Sequence, residues 1–362
     1  MQIKNLQPQI AGSHNFRQAV ESPSNCCLSI IIVNWNGAAH LPDCLNSLEQ
    51  QTFTNFEVIL VDNGSSDASV DYVQAHHPWV KMVTLPENRG FAAGNNIGLD
   101  HACGEYIITL NNDTMADPDW LAELVAVAAT CPEAGMVASR ICNFYDRDMI
   151  DSLGLSICRD GMSRGAYRRH KFSALSLERI TQILFPSACA GLYRRAMIEQ
   201  TGFFDEDFFA YCEDTDLGLR GRLAGWQAVL ARDAIVWHKY SQTTGTFSAL
   251  KLYLVERNHF WAAVKCFPAG MLLALPFWTF VRYLVQLQLV AGARGAGAEF
   301  RIVSSADLIS AVLRGIVDMI RGLPAVLHKR RTISAARRLT SGEMRSLLQR
   351  YELSLRELLD AG

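Results

Sequence analysis

The chain has 362 residues and a net charge of −2, with 34 Lys and Arg against 36 Asp and Glu, so charge gives no ground for binding nucleic acid. Apolar residues make up 49%, enough for a substantial core and some excess apolar surface. Its 10 cysteines include no CxxC pair or Cys/His cluster, which argues against a zinc site and for reduced thiols in a cytoplasmic protein.

Residues 1–27 are polar, lack the apolar run of a signal peptide, and are expected to form a flexible leader. "LSIIIV" (28–33) is short, apolar and β-rich, as a buried strand is. Leu41, Cys44, Leu45 and Leu48 then recur at i, i+3, i+4, i+7, one face of a helix. Further strands are expected at "VILV" (58–61), "VKMVTL" (80–85) and "YIITL" (106–110). Asp117 followed by Pro118 has the form of an N-cap and a first helical residue, continued by Trp120, Leu121, Leu124, Val125 and Ala128. Strands alternating with helices imply an α/β fold with a mostly parallel sheet covered on both faces. Such sheets bind ligands beyond the carboxyl ends of their strands. Three polar clusters stand there: "NWNG", "DNGSSD" and "NNDT".

Each cluster has two readings. Asp62 in "VDNGSSD" either closes an Asx turn or accepts hydrogen bonds from a nucleobase or ribose. "ENRGFAAGNNIG" (87–98) either lets backbone approach a phosphate or is a loop entering a helix. Asn111, Asn112 and Asp113 either cap a turn or ligate one hard divalent cation. The strongest stretch is "GFFDEDFFAYCEDTDLGLRGRLAGW" (202–226), where six acids interleave with aromatic rings and a helix is expected from near Glu213. Acids in a first helical turn complement the dipole, but that explains one or two of them. A carboxylate against apolar rings can be tuned as a base. His238 ends another strand-like run, "AIVWHKY" (234–240).

Beyond residue 250 the composition shifts. Cys266–Val281 and Tyr283–Ala293 are uncharged stretches separated by Arg282, each shorter than a bilayer span, with Pro268 and Pro276 breaking the first. Ile309, Val312, Leu313, Ile316, Val317, Ile320 and Leu323 form an apolar helical face, and "HKRR" (328–331), Arg337, Arg338, Arg345 and Arg350 follow. Apolar and basic segments together suit attachment in the plane of an anionic membrane, with docking on the protein core as the alternative.

Taken in order, "SIIIVNWNG", "LVDNGSSD", "ENRGFAAGNNIG", "LNNDT", the acid-rich stretch and "VWH" resemble a family-2 glycosyltransferase of the GT-A fold, of the bacterial rhamnosyltransferase-like branch. The resemblance runs from about Leu28 to Pro268. It implies a glycosyltransferase domain over residues 28–265 and a helical extension over 266–362. It implies inverting transfer of one sugar from a nucleoside diphosphate sugar, dTDP-rhamnose or a UDP-sugar, to a glycan or lipid-linked acceptor. The enzyme would work on the cytoplasmic face of the inner membrane, with Mg²⁺ or Mn²⁺. By the same resemblance Asn34, Asp62, Arg89, Gly90, Asn95 and Asn112 would serve the donor. Asp113 and His238 would hold the metal. Asp214 would be the base, with Glu213 beside it, and Ala190, Gly191 and Arg257 would lie on the acceptor side. "NND" departs from the usual DxD by losing negative charge. A processive synthase is disfavoured, since no QxxRW motif is present. A catalytically silent nucleotide-sugar-binding protein is the rival of a different class.

Overall fold

A computed structural model describes residues 28–239, 248–291 and 305–359. The expected leader, Tyr240, and residues 292–293 of the second apolar stretch lie outside them. In chain order come β1 (Leu28–Asn34), α1 (Leu41–Glu49), β2 (Phe56–Asp62), α2 (Ser69–His76), β3 (Lys81–Thr84), α3 (Gly90–Asp100) and β4 (Tyr106–Leu110). Next are β5 (Thr114–Ala116), α4 (Trp120–Thr130), β6 (Ala134–Asn143), β7 (Ile150–Ser152), β8 (Leu155–Ile157), β9 (Ser163–Gly165) and β10 (Ile180–Gln182). β11 (Ala190–Arg194), α5 (Arg195–Thr201), α6 (Glu213–Leu223) and β12 (Gln227–His238) complete the sheet-bearing part. The rest is helical: α7 (Ala249–Cys266), α8 (Ala269–Ala291), α9 (Ser305–Ala336), α10 (Ser341–Arg350) and α11 (Leu355–Leu359).

The main sheet runs β10-β12-β6-β11-β4-β1-β2-β3, mostly parallel but mixed. β3, β2, β1 and β4 are mutually parallel, and β11 joins antiparallel to both β4 and β6. The register sets Asn34 opposite Asp62, so the ends of β1 and β2 fall on one edge. Ile30 and Ile32 belong to one core cluster and Ile31 to the other, as alternation across a buried strand requires. Leu41, Cys44, Leu45 and Leu48 of α1 are fully buried, as their spacing predicts.

Two elements start elsewhere than expected. α4 begins at Trp120, with Asp119 rather than Asp117 at its cap. Its free N–H at Leu121 is satisfied from outside, by the Gln51 side chain at 3.0 Å, whose amide also donates to Asp117 O at 2.7 Å. The Gly-rich stretch is helix from Gly90 onward. Gly94 and Gly98 press against Val33 and Ile31 of β1, so they serve helix–sheet packing rather than a phosphate cradle.

The extension departs further from expectation. α8 is one continuous helix through Pro276. By length and composition alone, its segment Ala269–Gln288 is the one helix among the described residues that could cross a bilayer. Arg282, inside that segment, is nonetheless fully buried, with Nε 2.6 Å from Asp160 and both terminal nitrogens 2.8 Å from Glu256. α9 lies along α7, where Gly315 and Gly322 allow close approach to the Tyr253 carbonyl and the Trp261 ring. Large apolar side chains therefore point outward: Leu273, Phe277, Phe280, Leu284 and Leu287 on α8, and Ile309, Leu313, Val317 and Ile320 on α9. The basic run is not wholly surface charge either. Lys329 pairs with Asp205 and Asp207 at 2.6 and 2.7 Å, and Arg330 donates to Val264 O.

Candidate active site

A cleft of about 630 Å³ opens beyond the strand ends. On the β1–β2–β4 side the polar ends knit together. Asn34 Nδ2 donates to Asp62 Oδ1 (3.1 Å) and Ser65 Oγ, and Asn34 Oδ1 accepts from Asn112 Nδ2 (2.8 Å). Asp62 Oδ2 accepts from Ser65 N, so the carboxylate is tied to its own turn. Of this network only Asn112 lines the cleft; Asn34 and Asp62 stand behind it.

The following loop is stapled by amides. Asn63 Nδ2 donates to Asn88 Oδ1 and Gly90 O, and Asn63 Oδ1 accepts from Arg89 N. Gly90 has φ +87°, and a Cβ there would meet Phe209. Asn63, Asn88 and Gly90 line the cleft together with Trp35, whose ring is partly exposed. Arg89 and Asn95 do not line it. Arg89 lies 3.7 Å from Glu206, and Asn95 is buried in α3, donating to Phe91 O.

At the end of β4 the chain turns through Asn111, Asn112 and Asp113, and β12 delivers His238 opposite. His238 Nε2 is 3.3 Å from Asp113 Oδ1, and its Nδ1 is 2.7 Å from Asp151 Oδ2. Asp151 is held in turn by Arg168 at 3.3 Å. Burial pushes the Asp113 carboxyl up, but the hydrogen bond and charge of His238 outweigh it and hold the group below the usual range. Asp151 is held low by the same balance. Burial disfavours the His238 imidazolium, yet Cys189 and the two carboxylates together raise it well above its ordinary value.

This donor set fits a hard divalent cation. One carboxylate and one imidazole face each other, and the imidazole's second nitrogen is oriented by a carboxylate, a common outer-shell arrangement for metal-binding histidine. Among the described residues no group of three or more ligating side chains is preformed, so oxygens of a bound diphosphate would have to complete the coordination. Asp113→Ala should therefore abolish the metal-dependent part of nucleotide binding. An unchanged Mn²⁺ titration of nucleotide affinity would exclude Asp113 as a ligand. Asp151→Asn, which keeps the side-chain shape, should weaken Mn²⁺ affinity roughly 10–100-fold by calorimetry.

The acid-rich stretch is sorted by its partners. Asp205 and Asp207 pair with Lys329, and Asp205 also with Lys265. Asp216 is fully buried between Arg220 (2.8 Å) and Lys265 (2.6 Å), while Glu206 faces Arg89. Among the described residues no cation pairs with Glu213 or Asp214. These two open α6, just after three residues with positive φ, Phe209, Tyr211 and Cys212 (63°, 68° and 66°). Asp214 faces the cleft and accepts from Thr215 N (2.7 Å) and Ala188 N (3.3 Å). Glu213 is buried, with Oε2 unpartnered. Burial raises both carboxyls, Glu213 further because Asp214 adds a like charge, while backbone hydrogen bonds restrain Asp214. Asp214 is thus the accessible member with raised basicity.

The metal-type pair and the acid meet at one peptide. Ala188 N binds Asp214, and the next residue, Cys189, contacts His238. The expected small-residue loop ends there: Ser187, Ala188 and Cys189 line the cleft, but Ala190 and Gly191 are buried in β11. Arg257 lies off the cleft, donating to Asp207 O and Phe208 O and stacking on Trp261. Trp35, Asn63 and Asn88, neighbours of the expected site residues in the same sequence clusters, line the cleft as well. Asp151 carries no local signal, being 87 positions from the histidine it orients.

Residues 29–202 match the model of Glycosyl transferase family 2. An N-acetylglucosaminyl-diphospho-decaprenol L-rhamnosyltransferase of Mycobacterium tuberculosis is 28% identical over 264 residues, covering 65% of this chain and 86% of that protein. Among solved structures, mannosyltransferase PcManGT from Pyrobaculum calidifontis, in complex with GDP-Man and Mn²⁺, has a TM-score of 0.51 at 18% identity over 85% of each chain. S. aureus TarS 1-349 in complex with UDP-GlcNAc has a TM-score of 0.53 at 15% identity, covering 90% of this chain and 91% of that one. At such identities the structural likeness concerns the fold.

Proposed function

Since the chain belongs to glycosyl transferase family 2, is rhamnosyltransferase-like and has the GT-A fold, we propose that it moves a single sugar, with inversion, from a nucleoside diphosphate sugar to a hydroxyl of a glycan or lipid-linked acceptor. The observation that supports this most is the meeting of the Asp113–His238 pair and Asp214 in one cleft, at adjacent residues 188 and 189. The donor we favour is dTDP-rhamnose, with a UDP-sugar next.

In this reading the loop stapled by Asn63 and Asn88 seats the nucleotide, and the partly exposed Trp35 ring offers it an apolar plane. Asp113 and His238 would hold Mg²⁺ or Mn²⁺, which when bound stabilises negative charge on the departing diphosphate. Asp151 fixes the His238 ring so that Nε2 faces Asp113. Asp214 takes the proton from the acceptor hydroxyl as it attacks in line with the leaving group. Its raised basicity suits that step. Holding two substrates in line supplies a further large share of the rate.

A panel of nucleoside diphosphate sugars with Mn²⁺, scored by nucleoside diphosphate release, tests the reading. Turnover with one donor supports it. Nucleotide binding without turnover against any acceptor would favour a silent binding protein instead.

Attachment to the cytoplasmic face of the inner membrane belongs to the same proposal. The outward apolar stripes of α8 and α9, with exposed Arg314, Arg321 and Arg331, suit an anionic bilayer surface. The buried Arg282 favours α8 lying on the protein rather than crossing the bilayer. Flotation with phosphatidylglycerol vesicles should carry the wild type upward and leave a Leu273→Asp, Phe277→Asp, Phe280→Asp variant at the bottom. Equal flotation would exclude α8 as the contact.

A further inference from the structure

The last described helix, α11, returns to the cleft. Leu358 and Leu359 of α11 are part of its wall, far in sequence from every other group there. They are held by built contacts. Arg164 Nη1 donates to the carbonyls of Glu357 (2.8 Å) and Leu358 (2.7 Å). Leu353 N donates to Ile157 O (2.9 Å), and Arg159 pairs with Glu352 at 2.6 Å. Ser354 caps α11 by accepting from Glu357 N (3.1 Å).

The same contacts lead to the candidate base. Ser163, beside Arg164 on β9, has its hydroxyl 2.6 Å from that of Thr215, the neighbour of Asp214. Leu155 and Leu254 add buried apolar wall, and Leu250 adds an exposed side chain at the first turn of α7. Arg164, Arg168, Arg169 and Lys251 line the same region. Arg168 is paired with Asp151, but among the described residues no acid pairs with Arg169. On its other side α11 packs against α8, the helix with the outward apolar stripe. Leucines and arginines thus line the cleft between the candidate base and α11.

We infer that α11 and Arg169 form the recognition wall for the acceptor's aglycone, selecting an apolar chain joined through an anionic phosphate linkage. The inference rests on Asp214 being the base of the proposed glycosyl transfer. Leu358 and Leu359 cover the chain, Arg169 neutralises the phosphate, and the acceptor sugar lies between them and Asp214. The C-terminal residues are then specificity-determining as well as part of a membrane-facing extension.

The test uses the full chain with farnesyl diphosphate as probe, in EDTA so that no metal offers the diphosphate a second seat. Calorimetry should show it binding at least about tenfold more tightly than inorganic diphosphate or farnesol alone. Leu358→Asp should remove about tenfold of that affinity, Leu358→Ala a smaller part, and Arg169→Ala about tenfold while leaving farnesol unchanged. All three should keep wild-type binding of dTDP or UDP with Mn²⁺, which reports an intact fold. Phosphatidylglycerol vesicles should not displace the probe; displacement would assign the wall to membrane lipid and overturn the inference. Equal binding of the probe and its halves, or no effect of the substitutions, would overturn it too. If dTDP and UDP also fail to bind the wild type with Mn²⁺, the glycosyltransferase reading fails; if they bind, only the acceptor wall does.

Discussion

Asp214→Asn is expected to lower transfer roughly 10²–10⁴-fold while nucleotide affinity stays within a few-fold of wild type. Asn keeps the hydrogen bond from Ala188 N but cannot accept the acceptor's proton. Four of the other five acids of the stretch cannot substitute for it, because each is tied to a cation: Asp205, Glu206, Asp207 and Asp216. Glu213 is near but buried, and that burial together with the charge of Asp214 raises its carboxyl. The pH dependence has a definite sign. A base must be deprotonated, and burial raises Asp214, so activity should fall on acidification at a pH above the ordinary aspartate range. Its effect on stability runs the other way. A carboxyl raised on folding favours the fold below its unfolded value and loses that contribution as pH rises through the folded one. Asp214→Asn should then cost little stability near neutral pH. A kcat loss below about tenfold, or a matching loss of nucleotide affinity, would remove Asp214 from the role.

Arg282→Met is expected to destabilise the protein by roughly 3–5 kcal/mol. The guanidinium is fully buried and bridges Asp160 and Glu256, themselves 0% and 2% exposed. Tyr283 donates a further bond to Glu256 at 2.7 Å. Burial alone would raise the Glu256 carboxyl, but Arg282 outweighs it and holds it low. Methionine fills similar volume and leaves two carboxylates buried without a cation, which is the costly half of a buried ion pair. Because Glu256 is depressed on folding, its contribution should be lost as pH falls through its folded value, so the wild type and variant should converge in acid. Adding Glu256→Gln to Arg282→Met should recover part of the loss. Denaturant unfolding showing less than about 1 kcal/mol for Arg282→Met would mean that α8 is not anchored by this cluster.

How much of this was legible in the sequence differs by element. The strand ends carrying Asn34, Asp62 and Asp113 were readable because a buried parallel strand is a continuous apolar run, and its end is marked by the first polar residue. The start of α6 at Glu213 was readable from its leucine spacing. The cap of α4 was not, because the group that satisfies Leu121 N is Gln51, an amide from the loop after α1. The break expected at Pro276 does not occur; that residue lies on the exposed side of a continuous α8. Lys329 belongs to a run that reads as membrane charge, because its partners Asp205 and Asp207 are 124 and 122 positions away. Asp151 and α11 were invisible for one reason. Each acts on a residue far away in sequence, and nothing local distinguishes it.

Crystals grown with Mn²⁺ and the nucleoside diphosphate that binds best, dTDP or UDP, give the most direct measurement. The account predicts an anomalous manganese peak in contact with Asp113 and His238, diphosphate oxygens completing its shell, and Asp214 facing the same cleft with room for an acceptor hydroxyl. A manganese peak away from Asp113, or a nucleotide seated outside this cleft, would contradict it.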